Sequence, residues 1–163
     1  MSRLLTSLTA SISTASVLLT AAVAAYAQTP DLVRPAKAAE RTAAIGSIQA
    51  QLKAFGRDDY KTAITYQSSS LKKNFASPLQ FRAMIVQAYP EFAHSKRVVF
   101  GPAQTDATGA HLAILTAVTG QDGVTVRAVY LMVREGKVYR VDGVAGGGVP
   151  PPGDDAAMSG RDV

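Results

Sequence analysis

The adjacent carboxylates Asp58 and Asp59 are the first residues whose types and spacing suggest chemistry. Paired acid and base groups must converge on one substrate. Neighbours at the start of a helix point apart instead, and a carboxylate there can accept a hydrogen bond from a free backbone N–H group. We therefore predict that Asp58 is the N-cap of a short helix. Asp59 is expected in the first turn, near the positive end of the helix dipole.

The histidines and the last carboxylate before the C-terminal tail offer little more. Two histidines, His94 and His111, are too few for a His-rich metal site. His94 falls in a predicted loop and His111 at the start of a strand, so a surface histidine and a hydrogen-bonded histidine are preferred over a general base. For Asp142, late in the last strand, we expect a cross-strand ion pair with Arg127 or Arg134. Neither a metal site nor a cofactor is predicted.

The tyrosines are better candidates for a binding site, because each carries an apolar ring and a polar tip. In a layer of helices curled over a sheet, such side chains line the mouth of a pocket. Tyr66, Tyr89 and Tyr130, together with His94, are therefore the candidate ligand-binding residues. The alternative, that the rings belong to the core with their hydroxyl groups at the surface, stays open.

Composition removes several classes of function. The chain contains no Cys, so it has no disulfides, thiolate metal sites or Cys nucleophiles. A net charge of +5 comes without a basic tract interleaved with aromatic residues, so nucleic acid is not an expected partner. The sequence also lacks the motifs of zinc proteases, α/β-hydrolases, P-loops and dinucleotide-binding folds.

The N-terminus is typical of an export signal. Arg3 precedes an apolar stretch that is densest over residues 15–25, and the sequence A-Y-A, ending at Ala27, matches a cleavage site. The dense stretch is much shorter than the ~20 apolar residues that a membrane-spanning helix needs. We predict a signal peptide over residues 1–27, cleavage after Ala27, and export, with the periplasm as the expected location. No stable membrane anchor should remain after cleavage.

The rest of the chain predicts helices first and strands second. Apolar residues recur with a helical period over about residues 37–55, and Gly56 supplies the stop signal. Ser77 and Pro78 begin a further helix. From Lys96 the apolar period changes to two, and four strands joined by short turns make an antiparallel meander.

This order predicts the α+β class, with N-terminal helices packed on a curved four-stranded antiparallel sheet. The expected organisation has an N-terminal arm with the start of the first helix at residues 28–41 and the α+β domain at residues 42–145. A disordered Gly- and Pro-rich tail is expected at residues 146–163.

The third predicted strand is apolar on both faces, with Tyr130 on one side and Leu131 on the other. Helices can cover only one face of a sheet. Since burying a Val or Leu side chain contributes roughly 1.5–3 kcal/mol, the uncovered face predicts a homodimer, sheet against sheet. The competing interpretation is that the aliphatic parts of Arg127 and Arg134 lie across this face, which then stays exposed to solvent.

Several motifs suggest a family. They are Q-L-x-A-F-x-x-x-D at residues 51–59, S-x-x-L-x-x-x-F at 68–75, S-P-x-x-F-x-x-M at 77–84, A-Y-P-E-F at 88–92, K-R-V-V-F-G at 96–101 and a late V-Y-R-V-D-G-V. Over about residues 42–145 the chain resembles the small exported bacterial proteins of domain of unknown function 4864, within the nuclear-transport-factor-2-like (cystatin-like) fold. The resemblance implies a cone of helices against a curved sheet and brings no activity with it.

Two classes of function follow. The preferred prediction is a non-catalytic ligand-binding or protein-interaction module, whose partner is an unknown small molecule or protein. The alternative is a small hydrolase or isomerase with a site in the mouth of the cone, for which Tyr66, Tyr89 and His94 are the candidates. Enzymes of the wider fold place Asp, His or Tyr pairs inside the cone, whereas the interior positions expected here are mainly apolar. Two titratable side chains within hydrogen-bond reach inside a closed pocket would favour the enzyme.

Overall fold

The computed structural model describes residues 31–146 as one antiparallel sheet with helices packed on one face. The elements are β1 (Arg34–Pro35), α1 (Ala38–Phe55), α2 (Tyr60–Ala63), a 3₁₀ turn (Ile64–Tyr66), α3 (Ser69–Lys72), α4 (Pro78–Ala88), α5 (Pro90–Ala93), β2 (Arg97–Thr105), β3 (His111–Thr119), β4 (Thr125–Glu135) and β5 (Val138–Gly146). The strands pair in chain order, so the predicted α+β class and antiparallel meander are confirmed.

The predicted signal peptide, with its cleavage site at Ala27, lies outside the described residues. So does the predicted tail except for Gly146, which is the last residue of β5. Within residues 31–146 no helix is long and apolar enough to cross a membrane.

The sheet has five strands and not the predicted four, because the N-terminal arm contributes β1. Arg34 and Pro35 pair with the end of β2, and the flanking Val33 and Ala36 each donate a backbone hydrogen bond of 3.0 Å to it. Two residues are too few to show a period of two, and Pro argues against an internal strand. At the edge of a sheet Pro is tolerated, which is where β1 lies.

The residue that ends helix α1 in a left-handed conformation is not the one that the sequence predicts. Gly56 keeps a right-handed conformation, with φ −61°, and the left-handed position is taken by Asp58, with φ +56°. The backbone N–H of Asp58 donates to the carbonyl of Phe55, and that of Asp59 donates to the carbonyl of Ala54, both at 2.9 Å. This is the bond pattern of a Schellman motif, in which Asp can replace the usual Gly.

The N-cap of α2 is therefore Asp59 and not the predicted Asp58. The Asp59 carboxylate accepts the backbone N–H of Thr62 at 3.0 Å. Hydrogen bonding to the Thr62 side chain first, and to this N–H second, lowers the pKa of Asp59 below its ordinary value. Asp58 instead forms an exposed ion pair with Arg82, with 3.2 Å between Oδ1 and Nε. Neither carboxylate lies in a shared acid–base site, as predicted.

The core lies between the helices and one face of the sheet. Along β3 and β4 the even-numbered residues are buried except Arg134, which is exposed, and the odd-numbered residues are partly exposed. The largest fully buried side chains include Ile48 and Phe55 of α1, Phe81 of α4, and Leu112, Ile114, Tyr130 and Met132 of the sheet. On the outer face Leu115 lies opposite Val129, and Ala113 opposite Leu131. The homodimer through this face stays a prediction.

A polar cluster joins β1, α1 and the β2–β3 hairpin. Arg34 donates two hydrogen bonds, of 2.8 and 2.9 Å, to the carboxylate of Glu40, and the Lys37 backbone N–H donates to it at 2.8 Å. These contacts, the guanidinium first, lower the pKa of Glu40 to about 2. Gly109 packs against this pair, and its carbonyl accepts the hydroxyl of Tyr139 at 2.6 Å.

Replacement of Gly109 tests how tightly this cluster is packed. Gly109 has φ +73°, and a Cβ there would lie 2.5 Å from Oε1 of Glu40 and 3.2 Å from Nη2 of Arg34. Gly123 has φ +84° but no atom within 4 Å of its added Cβ. We expect Gly123→Ala to lower the free energy of unfolding by about 1–2 kcal/mol through backbone strain alone, and Gly109→Ala to lower it further. Urea denaturation measures both, and equal losses would mean that the ion pair moves aside without cost.

A candidate ligand pocket between the helices and the sheet

A cavity of about 130 Å³, partly open to solvent, lies between the helical layer and the inner face of the sheet. Helices α1, α3, α4 and α5 and strands β4 and β5 all contribute to its walls. Six aromatic rings line it, those of Phe55, Phe75, Phe81, Tyr89, Phe92 and Tyr130. The remaining lining residues are Gln51, Leu71, Met84, Ile85, Gly143 and Val144.

The aromatic walls are braced by contacts among the rings themselves. The ring of Phe81 lies 5.7 Å from that of Phe55 and 5.0 Å from that of Phe75, measured between centroids. On the other side, the ring of Phe92 lies 5.7 Å from that of Tyr89 and 6.0 Å from that of Tyr130. Tilted and edge-to-face pairs at these distances are favourable. The ring contacts therefore hold the walls in place without a ligand.

Three polar side chains, those of Gln51, Tyr89 and Tyr130, line this mainly apolar space, and two of them belong to almost fully buried residues. Tyr130 is only 1% exposed, and its hydroxyl has no hydrogen-bond partner within residues 31–146. Gln51 is equally buried: its Nε2 donates to the carbonyl of Ala63 at 3.2 Å, and its Oε1 has no partner in the same part of the chain. Within residues 31–146, the fully buried side-chain atoms that have no hydrogen-bond partner are the Tyr60 hydroxyl and Oε1 of Gln67, and both lie outside the lining.

Burial raises the pKa of the Tyr130 phenol above its ordinary value. The hydroxyl therefore stays protonated at neutral pH and keeps a hydrogen to donate. Since Oε1 of Gln51 can only accept, Tyr130 and Gln51 together offer the cavity a donor and an acceptor.

The structure brings together two of the four residues predicted as ligand-binding. Tyr89 and Tyr130 line the same cavity. Tyr66 lies in the 3₁₀ turn, partly buried and outside the lining. His94 is exposed after α5 and also lies outside it, and its carbonyl accepts Nε2 of Gln121 at 3.1 Å.

Sequence reasoning missed most of the lining. Phe75 and Phe92 lie in or beside helices of four residues, too short to show which face is buried. The sequence did contain a signal for Gln51. It is a polar residue inside the apolar stripe of α1, three positions after Ile48 and four before Phe55. A polar side chain at a buried helical position points to a specific partner or to a site.

An Asp–His pair exists, but it belongs to the β2–β3 hairpin. Nδ1 of His111 lies 2.8 Å from Oδ2 of Asp106, and Oδ1 of Asp106 accepts the backbone N–H groups of Thr108 and Ala110, both at 3.0 Å. Burial acts to raise the pKa of Asp106, but its hydrogen bonds outweigh burial and lower the pKa well below the ordinary value. His111 is thus the hydrogen-bonded strand histidine expected from its position.

Two carboxylates of the sheet hold the start of α3, which carries Leu71 to the cavity. Oγ of Ser68 caps the helix by accepting the backbone N–H of Leu71 at 2.9 Å, and it donates to Asp142 at 2.5 Å. The backbone N–H of Ser69 donates to Oε1 of Glu135 at 2.6 Å, which lowers the pKa of that carboxyl. One wall of the cavity is therefore attached to β4 and β5 by hydrogen bonds.

This contact replaces the ion pair predicted for Asp142 with Arg127 or Arg134. The β4–β5 register changes between Leu131 and Met132, so Asp142 is the extra residue of a bulge. A bulge re-aims the side chain at that position. The prediction assumed that side chains alternate uniformly along β5, so the partner that it gave for Asp142 was wrong.

No group of three or more His, Cys, Asp or Glu side chains within residues 31–146 could hold a metal ion. The described residues define a class: an α+β protein with an open antiparallel sheet, whose helical layer encloses a small, mainly apolar pocket. Residues 37–148 match the model of the family described as Domain of unknown function (DUF4864), and the chain belongs to this family, as its motifs predicted. Comparison with curated proteins and with solved structures gave no match.

Two tyrosine variants test the account of the free hydroxyl. Tyr130→Phe removes a hydroxyl that makes no hydrogen bond within the described residues, so we expect the free energy of unfolding to stay unchanged or to rise. Tyr139→Phe removes the hydrogen bond to the Gly109 carbonyl, and we expect a loss of about 1 kcal/mol. Chemical denaturation compares the two buried tyrosines directly. A loss for Tyr130→Phe as large as that for Tyr139→Phe would show that the Tyr130 hydroxyl is satisfied.

Proposed function

We propose that this protein is an exported, non-catalytic binding module that holds a small, mainly apolar ligand in the cavity between its helices and its sheet. The observation that carries the proposal is Tyr130, whose side chain lines a preformed aromatic cavity and whose hydroxyl makes no hydrogen bond within residues 31–146. Small-molecule sites generally combine apolar walls with a few placed polar groups. We also propose that the helices and the sheet form a nuclear-transport-factor-2-like cone, and that the cavity lies at the mouth of this cone.

The composition of the lining favours binding over the hydrolase or isomerase alternative. The twelve lining residues include no Asp, Glu, His, Lys or Arg. General acid–base catalysis works best with a pKa near the operating pH, and burial moves the pKa of Tyr130 further from neutrality. The Asp106–His111 pair, which has the required chemistry, lies in the β2–β3 hairpin and not in the cavity lining.

The size of the cavity is consistent with a ligand of about one ring. An engineered apolar cavity of about 150 Å³ stays dry and binds benzene, and the cavity here, at about 130 Å³, is similar. A ligand that fills such a space restores dispersion contacts that the wall atoms otherwise lack. Apolar burial supplies the affinity in this proposal, and the polar groups supply selectivity.

Export is the second component of the proposal and has its own test. It rests on the order of charge, apolar stretch and A-Y-A sequence over residues 1–27. N-terminal sequencing of the protein from the secreted or periplasmic fraction should begin at Gln28. An intact Met1 in the membrane fraction would contradict it.

Binding in the cavity is tested with a matched pair of leucine variants. Leu71 lines the cavity, whereas Leu79 on α4 is 73% exposed and lies outside the lining. Toluene added to the ¹⁵N-labelled protein should shift the amide signals of lining residues such as Met84 and Val144. We expect Leu71→Trp, which places a larger side chain in the cavity, to weaken binding at least about tenfold, corresponding to about 1.4 kcal/mol.

Leu79→Trp should bind toluene as the wild type does. Absence of toluene binding to the wild-type protein, or an equal effect of the two Trp variants, would overturn the cavity as the binding site.

A further inference from the structure

We infer that the ligand is an uncharged phenol of about one ring, whose hydroxyl accepts a hydrogen bond from Tyr130 and donates one to Gln51. The inference rests on the proposed function and specifies its ligand class. It is carried by Tyr130 and Gln51, whose side chains line the cavity with oxygen atoms that make no hydrogen bond within residues 31–146, and by the absence of charge and the shape of the walls.

The polar groups define what the ligand must offer. Tyr130 is 1% exposed and its hydroxyl makes no hydrogen bond within residues 31–146. The Nε2 group of Gln51 donates to the Ala63 carbonyl, which leaves Oε1 to accept. An oxygen atom that lines a cavity and makes no hydrogen bond to the protein can bind a ligand group or a water molecule there. A hydroxyl group is the smallest ligand group that both accepts and donates. A ketone or an ether would satisfy Tyr130 and leave Gln51 unpaired.

Because the lining of the cavity carries no charged side chain, we expect the ligand to be uncharged. No acidic or basic side chain is among the twelve residues that line the cavity. A carboxylate or an ammonium group would lose its hydration there without gaining a counter-ion, which is strongly unfavourable. The raised pKa of Tyr130 also means that the protein supplies a neutral donor and not a phenolate.

The walls favour an aromatic ring over an alkyl chain. Phe92 meets Tyr89 edge-on, with an interplanar angle of 84°, and meets Tyr130 at 49°. Ring faces and ring edges are therefore both presented, and a flat aromatic guest can make offset or edge contacts with them. Met84 adds a polarisable sulfur that packs well against rings. The volume of about 130 Å³ limits the guest to about one ring.

Four probes of similar size separate the features of this ligand. Titrations of the wild-type protein followed by NMR should use p-cresol, benzaldehyde, toluene and 4-hydroxybenzoate. We expect p-cresol to bind at least about tenfold more tightly than toluene, with benzaldehyde between them because it accepts but cannot donate. The charged 4-hydroxybenzoate should bind more weakly than toluene.

Variants then assign the preference to Tyr130. Tyr130→Phe keeps the ring and the apolar wall, so it should bind toluene as the wild type does and lose the preference for p-cresol. Tyr139→Phe, which changes a buried tyrosine outside the lining, should keep that preference. The amide spectrum of each variant establishes that it is folded.

The outcomes separate this inference from the proposed function. Equal binding of p-cresol and toluene by the wild type, or an unchanged preference in Tyr130→Phe, overturns the phenol while the cavity remains a binding site. Tighter binding of 4-hydroxybenzoate than of p-cresol overturns the neutral ligand. Failure of all four probes to bind overturns the proposed function together with the inference.

Discussion

The packing of α1 and the helices that follow it on one face of the sheet, with α1 lying against β5, is the interaction on which the rest of the structure depends. Ile48 of α1 and Ile114 of β3 are completely buried, and Tyr130 of β4 nearly so. Since the chain has no disulfide, apolar burial and close packing must hold these layers together. The helices after α1 are short and irregular, and where they meet the sheet their aromatic side chains leave a space that they do not fill.

Long periodic segments of the fold were predictable from the sequence, and local departures from period were not. Helix α1 and the four-stranded meander follow from repeated apolar spacing over many residues. The residues that were misassigned each depend on a backbone irregularity. Asp58 takes a left-handed conformation that is usual for Gly, Asp142 lies in a bulge, and Pro35 belongs to a strand of two residues. Such features are decided by tertiary contacts and leave no repeated pattern in the sequence.

The candidate site was predictable only as far as residue type allowed. Tyr89 and Tyr130 could be chosen because a tyrosine has both an apolar ring and a hydroxyl. Residue type alone could not separate them from Tyr66, which differs only in the element that carries it. Nor could it bring Gln51 together with β4, since the two are joined by packing across the whole helical layer.

The short strand β1 has a consequence for how the protein behaves at high concentration. An unpaired strand edge is a template for pairing with another chain, and such pairing leads to aggregation. Arg34 and Pro35 occupy the end of the β2 edge, and Pro35 has no N–H group to offer a further strand. The register of β2 is also interrupted between Phe100 and Ala103, which bends the strand just before β1 covers it. Two residues of the N-terminal arm thus blunt the edge at which intermolecular β-sheet growth would otherwise begin.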